Sequence, residues 1–303
     1  MSAPVLSLAT LGVCLALALS VVLGLAWHAA SQVLRRRAPD PTADPAQLGL
    51  AYEPVNFASR DGLRLGGWLI AGAPPGRGTV VLCHGHAGSL DSDLRSVPPL
   101  QQQGYDVLQF DFRGHGRSEG QHVSMGYYEQ LDLLGAVDYL QGRGVERIGV
   151  LGHSMGGAVA ISSAARCPAI VAVVSDGGFA RLRPTLESGF QERGLPGWLA
   201  RVLAPITMWI AGLRLHCNLS EADPLHWIGK ISPRPVFLIH GKQDVYVPEA
   251  EVERLYDAAG DPKTLWVVPQ AGHRRANQVC AEEYTARVLG FFNRWLAEDT
   301  DPA

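Results

Sequence analysis

Hydrophobic and polar positions fall into three textures along this chain. From Ser2 to Leu34 no charged side chain occurs, and Val5 to Trp27 is almost entirely Leu, Val and Ala. About 20 such residues cross a hydrocarbon core of roughly 30 Å, so residues 1–37 are expected to form a transmembrane anchor with a basic flank. Residues 38–51 carry Pro39, Pro41 and Pro45 among small and acidic residues, the composition of an extended linker. From Tyr52 onward short apolar runs alternate with helical patterns, so residues 52–303 are expected to form the globular domain.

That domain opens with two strand-like stretches, Val55 to Phe57 and Leu63 to Ile70, separated by the Asp61-Gly62 turn pair of a hairpin. Strand patterns follow at Thr79 to Cys83, Asp106 to Phe112, Arg147 to Leu151 and Ile170 to Ser175. Helical patterns at Asp91 to Gln103, Tyr127 to Gln141 and Met155 to Arg166 lie between them. Phe237 to His240 and Thr264 to Val268 add two more strands, accompanied by helices at Glu249 to Ala259 and Cys280 to Ala297. Such alternation predicts an α/β fold with about eight mostly parallel strands and helices on both faces. Between Gly177 and Ser232 the alternation fails, and the apolar pattern of that stretch predicts a cap of two or three helices, about 177–232.

Charge narrows the function classes. A net charge of -3 and a pI near 6.4 leave no basic face for nucleic acid. The five cysteines lack C-x-x-C spacing, which argues against a zinc knuckle or a disulfide framework; they read as buried small apolar residues. Arg35 to Arg37 follow the apolar run at once while its short N-terminal side carries no Lys or Arg, so the positive-inside rule leaves the C-terminal domain in the cytoplasm. A cleaved signal peptide fits less well because its basic residues should precede the apolar run. A lipoprotein signal fits poorly too, since Cys14 lies within that run behind Val13.

The candidate chemistry centres on Gly152-His153-Ser154-Met155-Gly156-Gly157, placed between an apolar strand and a helical run. Small residues on both sides of Ser154 allow a sharp strand-to-helix turn that presents the hydroxyl. Such a hydroxyl needs a base and an orienting carboxylate. Asp244 follows the strand ending near Ile239 and His273 follows the next one, giving the order Ser, Asp, His; Asp176 is the fallback acid. For the oxyanion, the expected donors are the amides of Met155 and of His86, within His84-Gly85-His86-Ala87-Gly88. His84 and His86, with Asp111 and His115 nearby, are weaker as metal ligands, and His84 reads better as a strand-end ring bonded to backbone. In Asp111-Phe112-Arg113-Gly114-His115-Gly116-Arg117-Ser118 the arginine is expected to brace a turn, with Asp111 as a candidate partner. No cofactor and no metal are implied.

These motifs together resemble the α/β-hydrolase superfamily, most closely its branch of serine aminopeptidase-like domains, monoacylglycerol lipases and small acyl hydrolases. The resemblance covers roughly residues 52–296 and rests on His84-Gly85, Asp111-x-Arg113-Gly114-x-Gly116-x-Ser118, the Ser154 pentapeptide, His240-Gly241-x-x-Asp244-x-x-Val247-Pro248 and Ala271-Gly272-His273. It implies a serine hydrolase that cleaves acyl ester bonds, lipid esters and thioesters included, through a Ser-His-Asp triad and an acyl-enzyme. A peptidase or amidase using the same residues, and a catalytically silent membrane-bound binding protein, are the alternatives. Trp198, Leu199, Val202, Leu203, Ile206, Met208, Trp209 and Ile210 make the cap apolar, which favours a small hydrophobic ester or acyl substrate.

Overall fold

In the computed structural model, which describes residues 8–38 and 40–296, eight strands form one sheet. The start of the expected anchor, Pro39 of the linker and residues 297–303 lie outside the described residues. The strands are β1 (Tyr52–Ala58), β2 (Arg64–Ile70), β3 (Gly78–Cys83), β4 (Tyr105–Phe110), β5 (Ile148–His153), β6 (Ile170–Asp176), β7 (Val236–Gly241) and β8 (Lys263–Val268). Their spatial order is β1-β2-β4-β3-β5-β6-β7-β8. β1 and β2 form the antiparallel hairpin, β2 also pairs antiparallel with β4, and every later pair is parallel. The central strands β3 and β5 are buried almost throughout, as expected for a sheet covered on both faces.

The helices are α1 (Leu8–Leu34), α2 (Leu90–Asp93), α3 (Val97–Gln102), α4 (Glu129–Gly142), α5 (Met155–Ala164), α6 (Leu182–Glu192), α7 (Gly197–Leu215), α8 (Glu249–Ala258), α9 (Ala276–Val279) and α10 (Ala281–Trp295). Where the pattern predicts one helix from Asp91 to Gln103, two short helices and a 3-10 turn occur. Pro98 and Pro99 fit only the first turn of a helix, and they start α3 anew. The cap consists of α6, α7 and three 3-10 turns between Leu219 and Lys230.

Two apolar clusters fill the two faces of the sheet. A third joins the cap to α1: Ala26, Ala30 and Leu34 are fully buried with Leu203, Ala204 and Ala211 of α7 and Leu186 and Phe190 of α6. The spacing of four places these α1 residues on one stripe, and its two alanines let the helices approach closely. By contrast Leu11, Val13, Leu15, Leu17, Leu19 and Val21 are exposed. The segment Thr10–Leu34 is long and apolar enough to cross a membrane, and so is Gly197–Leu215, whose most apolar window is 44% buried. The apolar residues of α7 divide accordingly: Leu203 and Ile210 face inward, while Trp198, Val202, Trp209 and Leu213 face outward.

The segment with linker composition lies against the domain, where Ala43 donates its amide to Asp91 and residues Pro45–Leu48 form a 3-10 turn. The cysteines differ from expectation as well. Cys83 and Cys167 are buried, Cys217 and Cys280 are half-buried, and Cys14 is exposed on the bare part of α1.

Candidate active site

The parallel strands end together, and the loops after them bring the candidate residues to one edge. β5 ends at His153, and Ser154 follows with φ 53° and ψ -116°, a conformation that L-residues adopt only when their surroundings enforce it. The enforcement is visible at two glycines. A Cβ on Gly156 would lie 2.2 Å from the Cys83 carbonyl oxygen, and one on Gly152 would lie 2.3 Å from the Gly156 carbonyl oxygen. Only glycine permits β5, β3 and α5 to approach so closely, and the turn lifts the Ser154 hydroxyl away from the sheet.

His273 reaches that hydroxyl from the loop after β8, with its Nε2 2.8 Å from Ser154 Oγ. Its Nδ1 lies 2.6 Å from Oδ2 of Asp244, in the loop after β7. The Asp244 side chain is fully buried, and its other oxygen accepts the amides of Tyr246 at 2.8 Å and Val247 at 2.9 Å. Three bonds therefore fix the carboxylate before any substrate arrives. Asp176, the fallback acid, points elsewhere: Oδ2 accepts from the Tyr284 hydroxyl at 3.1 Å and lies 3.4 Å from Nδ1 of His153.

The loop after β3 closes on Ser154, since a Cβ on Gly85 would stand 3.3 Å from Ser154 Cβ. No hydrogen bond occupies the amides of His86 or Met155 among the described residues. His84 Nδ1–H donates to the Gly85 carbonyl and its Nε2 accepts the Phe112 amide, so both ring nitrogens are used by backbone. Burial drives its pKa well below the usual histidine range. Among the described residues no group of three or more His, Cys, Asp or Glu could hold a metal.

Arg113 does brace a turn, but its partners are not Asp111. The guanidinium pairs with Asp132 at 2.6 Å and Asp61 at 2.8 Å, all but removed from solvent. Asp111 instead accepts the amides of Leu90 and Arg117.

Three further contributors escape the sequence. Tyr246 lays its ring edge-on to His273, with centroids 5.4 Å apart. Arg274, at φ 55°, reaches from the histidine loop to Asp93 at 2.5 Å. The third is Arg37, beyond the end of α1, whose Nη2 lies 2.6 Å from Nε2 and 3.1 Å from Nδ1 of His86. The Asp244-x-Tyr246-Val247 spacing of an Asx turn carries a local signal for the first. For Arg274 and Arg37 none exists, because their partners are remote in sequence. A cleft of 740 Å³ beside His273 is lined by Asp93, Arg274, Asn277 and Tyr284, and Ser154 does not line it.

A protein-family model described as "Serine aminopeptidase, S33" matches residues 74–234, from just before β3 through the whole of the cap. Among curated relatives, the uncharacterised protein YqkD of Bacillus subtilis is 34% identical over 220 residues, 71% of each chain. The α/β-hydrolase domain-containing protein WAV2 of Arabidopsis thaliana is 30% identical over 271 residues, 84% of this chain and 82% of that one. A solved structure of the Pyrococcus furiosus esterase Pf2001 is similar at a TM-score of 0.73 and 31% identity, covering 87% of this chain and 99% of its own.

Proposed function

Because the chain belongs to the serine aminopeptidase S33-like family of α/β hydrolases, we propose that it is a serine hydrolase cleaving acyl esters of hydrophobic, lipid-like substrates through an acyl-enzyme. The observation that carries this reading is the unbroken relay from Asp244 Oδ2 through His273 to Ser154 Oγ, at 2.6 and 2.8 Å. In it His273 Nε2 takes the hydroxyl proton as Oγ bonds to the acyl carbon, and Asp244 stabilises the imidazolium by holding Nδ1–H. The carbonyl electrons move onto oxygen, which the amides of His86 and Met155 receive. The protonated histidine then gives its proton to the leaving alcohol, and water repeats the sequence to release the acid.

The apolar interior of the cap, with Leu203, Ile210, Leu186 and Phe190 buried in one cluster with Ala158 of α5, favours acyl chains over charged peptides. The esterase named among the structural relatives points the same way.

We read residues 1–37 as an uncleaved membrane anchor, 38–51 as the segment joining it to the domain, and 52–303 as the catalytic domain with its cap at about 177–232. Against signal cleavage stands the burial of Ala26, Ala30 and Leu34 in the cap, since loss of α1 would expose that apolar stripe of α7. A reporter fused to the C-terminus checks the cytoplasmic orientation drawn from Arg35 to Arg37; a reporter active only outside the cytoplasm would reverse it.

The deciding experiment is fluorophosphonate labelling of the full chain and of Ser154→Ala, followed by a chain-length series of nitrophenyl esters and a parallel set of aminoacyl anilides. Labelling that requires Ser154, with turnover rising as the acyl chain lengthens, is expected. Faster turnover of anilides would assign a peptidase. Absence of labelling in folded protein would assign a binding role.

A further inference from the structure

The basic flank of α1 does more in this fold than lie beside a membrane. Arg36 donates from Nη1 to the Gly120 carbonyl at 2.5 Å, and from Nη2 to the carbonyls of Ser118 at 2.9 Å and Gly116 at 3.2 Å. The Arg37 amide donates to the Gly114 carbonyl at 2.8 Å, and the Val123 amide donates to the Leu34 carbonyl at 3.0 Å. The end of the helix is thus sewn to the loop after β4.

From that fixed end, Arg37 reaches the ring of His86, whose backbone amide is the candidate oxyanion donor. Arg37 Nη2 lies 2.6 Å from Nε2 and 3.1 Å from Nδ1, and Nε2 also lies 2.9 Å from the Val33 carbonyl; the neutral ring accepts from Arg37 at its unprotonated nitrogen, and Nε2 can donate to Val33 only when that nitrogen is Nδ1. Burial and the adjacent Arg37 charge push the His86 pKa down to about 3, so the ring stays an acceptor at neutral pH. His115 Nε2 holds the carbonyl of the same residue at 3.0 Å. His86 is therefore gripped at ring and carbonyl, and both groups gripping the ring, Arg37 and the Val33 carbonyl, belong to the end of the anchor. Within that loop the Gly85 carbonyl accepts from the Gly88 amide at 3.1 Å and from His84 Nδ1–H at 2.8 Å, and neither bond engages His86 itself.

We propose that Arg37 is a positioning residue for acyl transfer: by holding the His86 ring it sets the His86 amide where the oxyanion forms, making the end of the anchor part of the active site. The proposal rests on the serine-hydrolase reading above. Its consequence is that the cation acts on the transition state and not on ground-state binding, because an oxyanion exists only as the acyl carbon becomes tetrahedral.

The test uses the full chain in detergent micelles and the variants Arg37→Ala, Arg37→Lys and Arg35→Ala. Arg35 is exposed, so its replacement removes the same charge from the flank without touching the loop. For Arg37→Ala, kcat is expected to fall about 10- to 100-fold with KM within about threefold of wild type, below the loss expected for deleting a donor outright. Affinity for a trifluoromethyl ketone, which forms an oxyanion adduct, should fall by the same factor as kcat. Arg37→Lys, which keeps a donor and a charge, should recover part of both, and Arg35→Ala should match wild type.

Equal losses in Arg35→Ala and Arg37→Ala would mean that flank charge alone matters, and would overturn the proposal. So would a kcat for Arg37→Ala within about twofold of wild type, or a fall in kcat with unchanged ketone affinity. If Arg37→Ala fails to fold, the comparison of Arg37→Lys with Arg35→Ala decides, since a lysine variant with wild-type kcat and ketone affinity also refutes the brace. A wild-type chain that takes no fluorophosphonate at Ser154 would instead remove the reading underneath, a result distinct from all of these.

Discussion

Replacing Gly156 with alanine tests whether the nucleophile turn is held by close backbone contact. The added methyl would lie 2.2 Å from the Cys83 carbonyl oxygen and 2.6 Å from that of His84, at the end of β3. Carbon and oxygen rest at about 3.3 Å or more, so β3 and the first turn of α5 must separate by roughly 1 Å. In an ordinary helix the same change gains up to about 1 kcal/mol. Here overpacking is expected to reverse the sign, at a net cost of about 1–3 kcal/mol. For a domain of this size each kcal/mol lowers the melting midpoint by about 2–4 °C. The start of α5 carries the Met155 amide next to Ser154, so the displacement separates nucleophile and donors from the loop at Gly85 and His86. An error of about 1 Å there costs on the order of 100-fold in turnover. Ester hydrolysis and thermal melting of Gly156→Ala report the two effects. Gly142→Ala serves as the control, because nothing lies within 4 Å of a methyl added there and its φ is ordinary; that variant should gain about 0.4–1 kcal/mol. Wild-type turnover and melting for Gly156→Ala would refute the argument that steric contact shapes the turn.

Asp244→Asn should lower kcat about 10⁴-fold by allowing the wrong histidine tautomer, whereas Asp176→Asn should retain turnover; equal losses would reassign the orienting acid. Arg113→Met leaves the fully buried Asp132 carboxylate without its cation and should cost about 3–5 kcal/mol in chemical denaturation, with Arg113→Met/Asp132→Leu recovering much of it. A double variant as unstable as the single one would show that the pair is not the cause. Stability should also fall on acidification through His86. Its folded pKa of about 3 is below the unfolded value near 6.5, so its contribution is present above pH 6.5 and is lost as pH drops toward 3. The slope is at most about 1.4 kcal/mol per pH unit. Urea titrations at about pH 7 and pH 4.5 should show a smaller loss for His86→Asn than for wild type, and equal losses would contradict the assignment.

The strands and the three residues of the relay were legible because each carries a local signature. Ser154 sits between glycines at a strand-to-helix junction, and Asp244 and His273 follow apolar runs that end in turns. The break in the helix after Leu90 was legible in principle, since Pro98 and Pro99 stand within it. Partnerships were not legible. Asp111 is near Arg113 in sequence, yet the arginine turns to Asp61 and Asp132, because a β-strand sends residues two apart to the same face while the chain leaves β4 at Phe110 and bends before Arg113. Nor could composition distinguish α1 as a lone span from α1 as a cap helix. Ala26, Ala30 and Leu34 suit lipid as well as they suit α7, and only the buried stripe separates the two.

The Asp111-to-Ser118 motif acquires a physical meaning from what it must satisfy. The chain leaves β4 for an irregular path up to Val123, in which β2 accepts the amides of Asp111 and Glu119 and Leu34 at the end of α1 accepts that of Val123. Side chains take others. Asp111 accepts from Arg117 and Leu90, Asp132 accepts from Arg113, and Glu129 accepts from Ser124 and Gly126. Gly116 is required because a Cβ there would overlap the Asp111 carboxylate that templates the turn. Arg113 pairs with Asp132 at 2.6 Å, and Arg117 with Asp91 at 2.5 Å and more distantly with Asp111 at 3.7 Å. Such a loop is stiff without regular secondary structure, because the donors bonded to these carboxylates have charged partners whose loss is costly. Stiffness is what its position demands: His115 within it holds the His86 carbonyl, and its carbonyls at Gly114, Gly116, Ser118 and Gly120 receive the end of α1. The motif therefore works as the anvil against which both the end of α1 and the loop holding His86 are set.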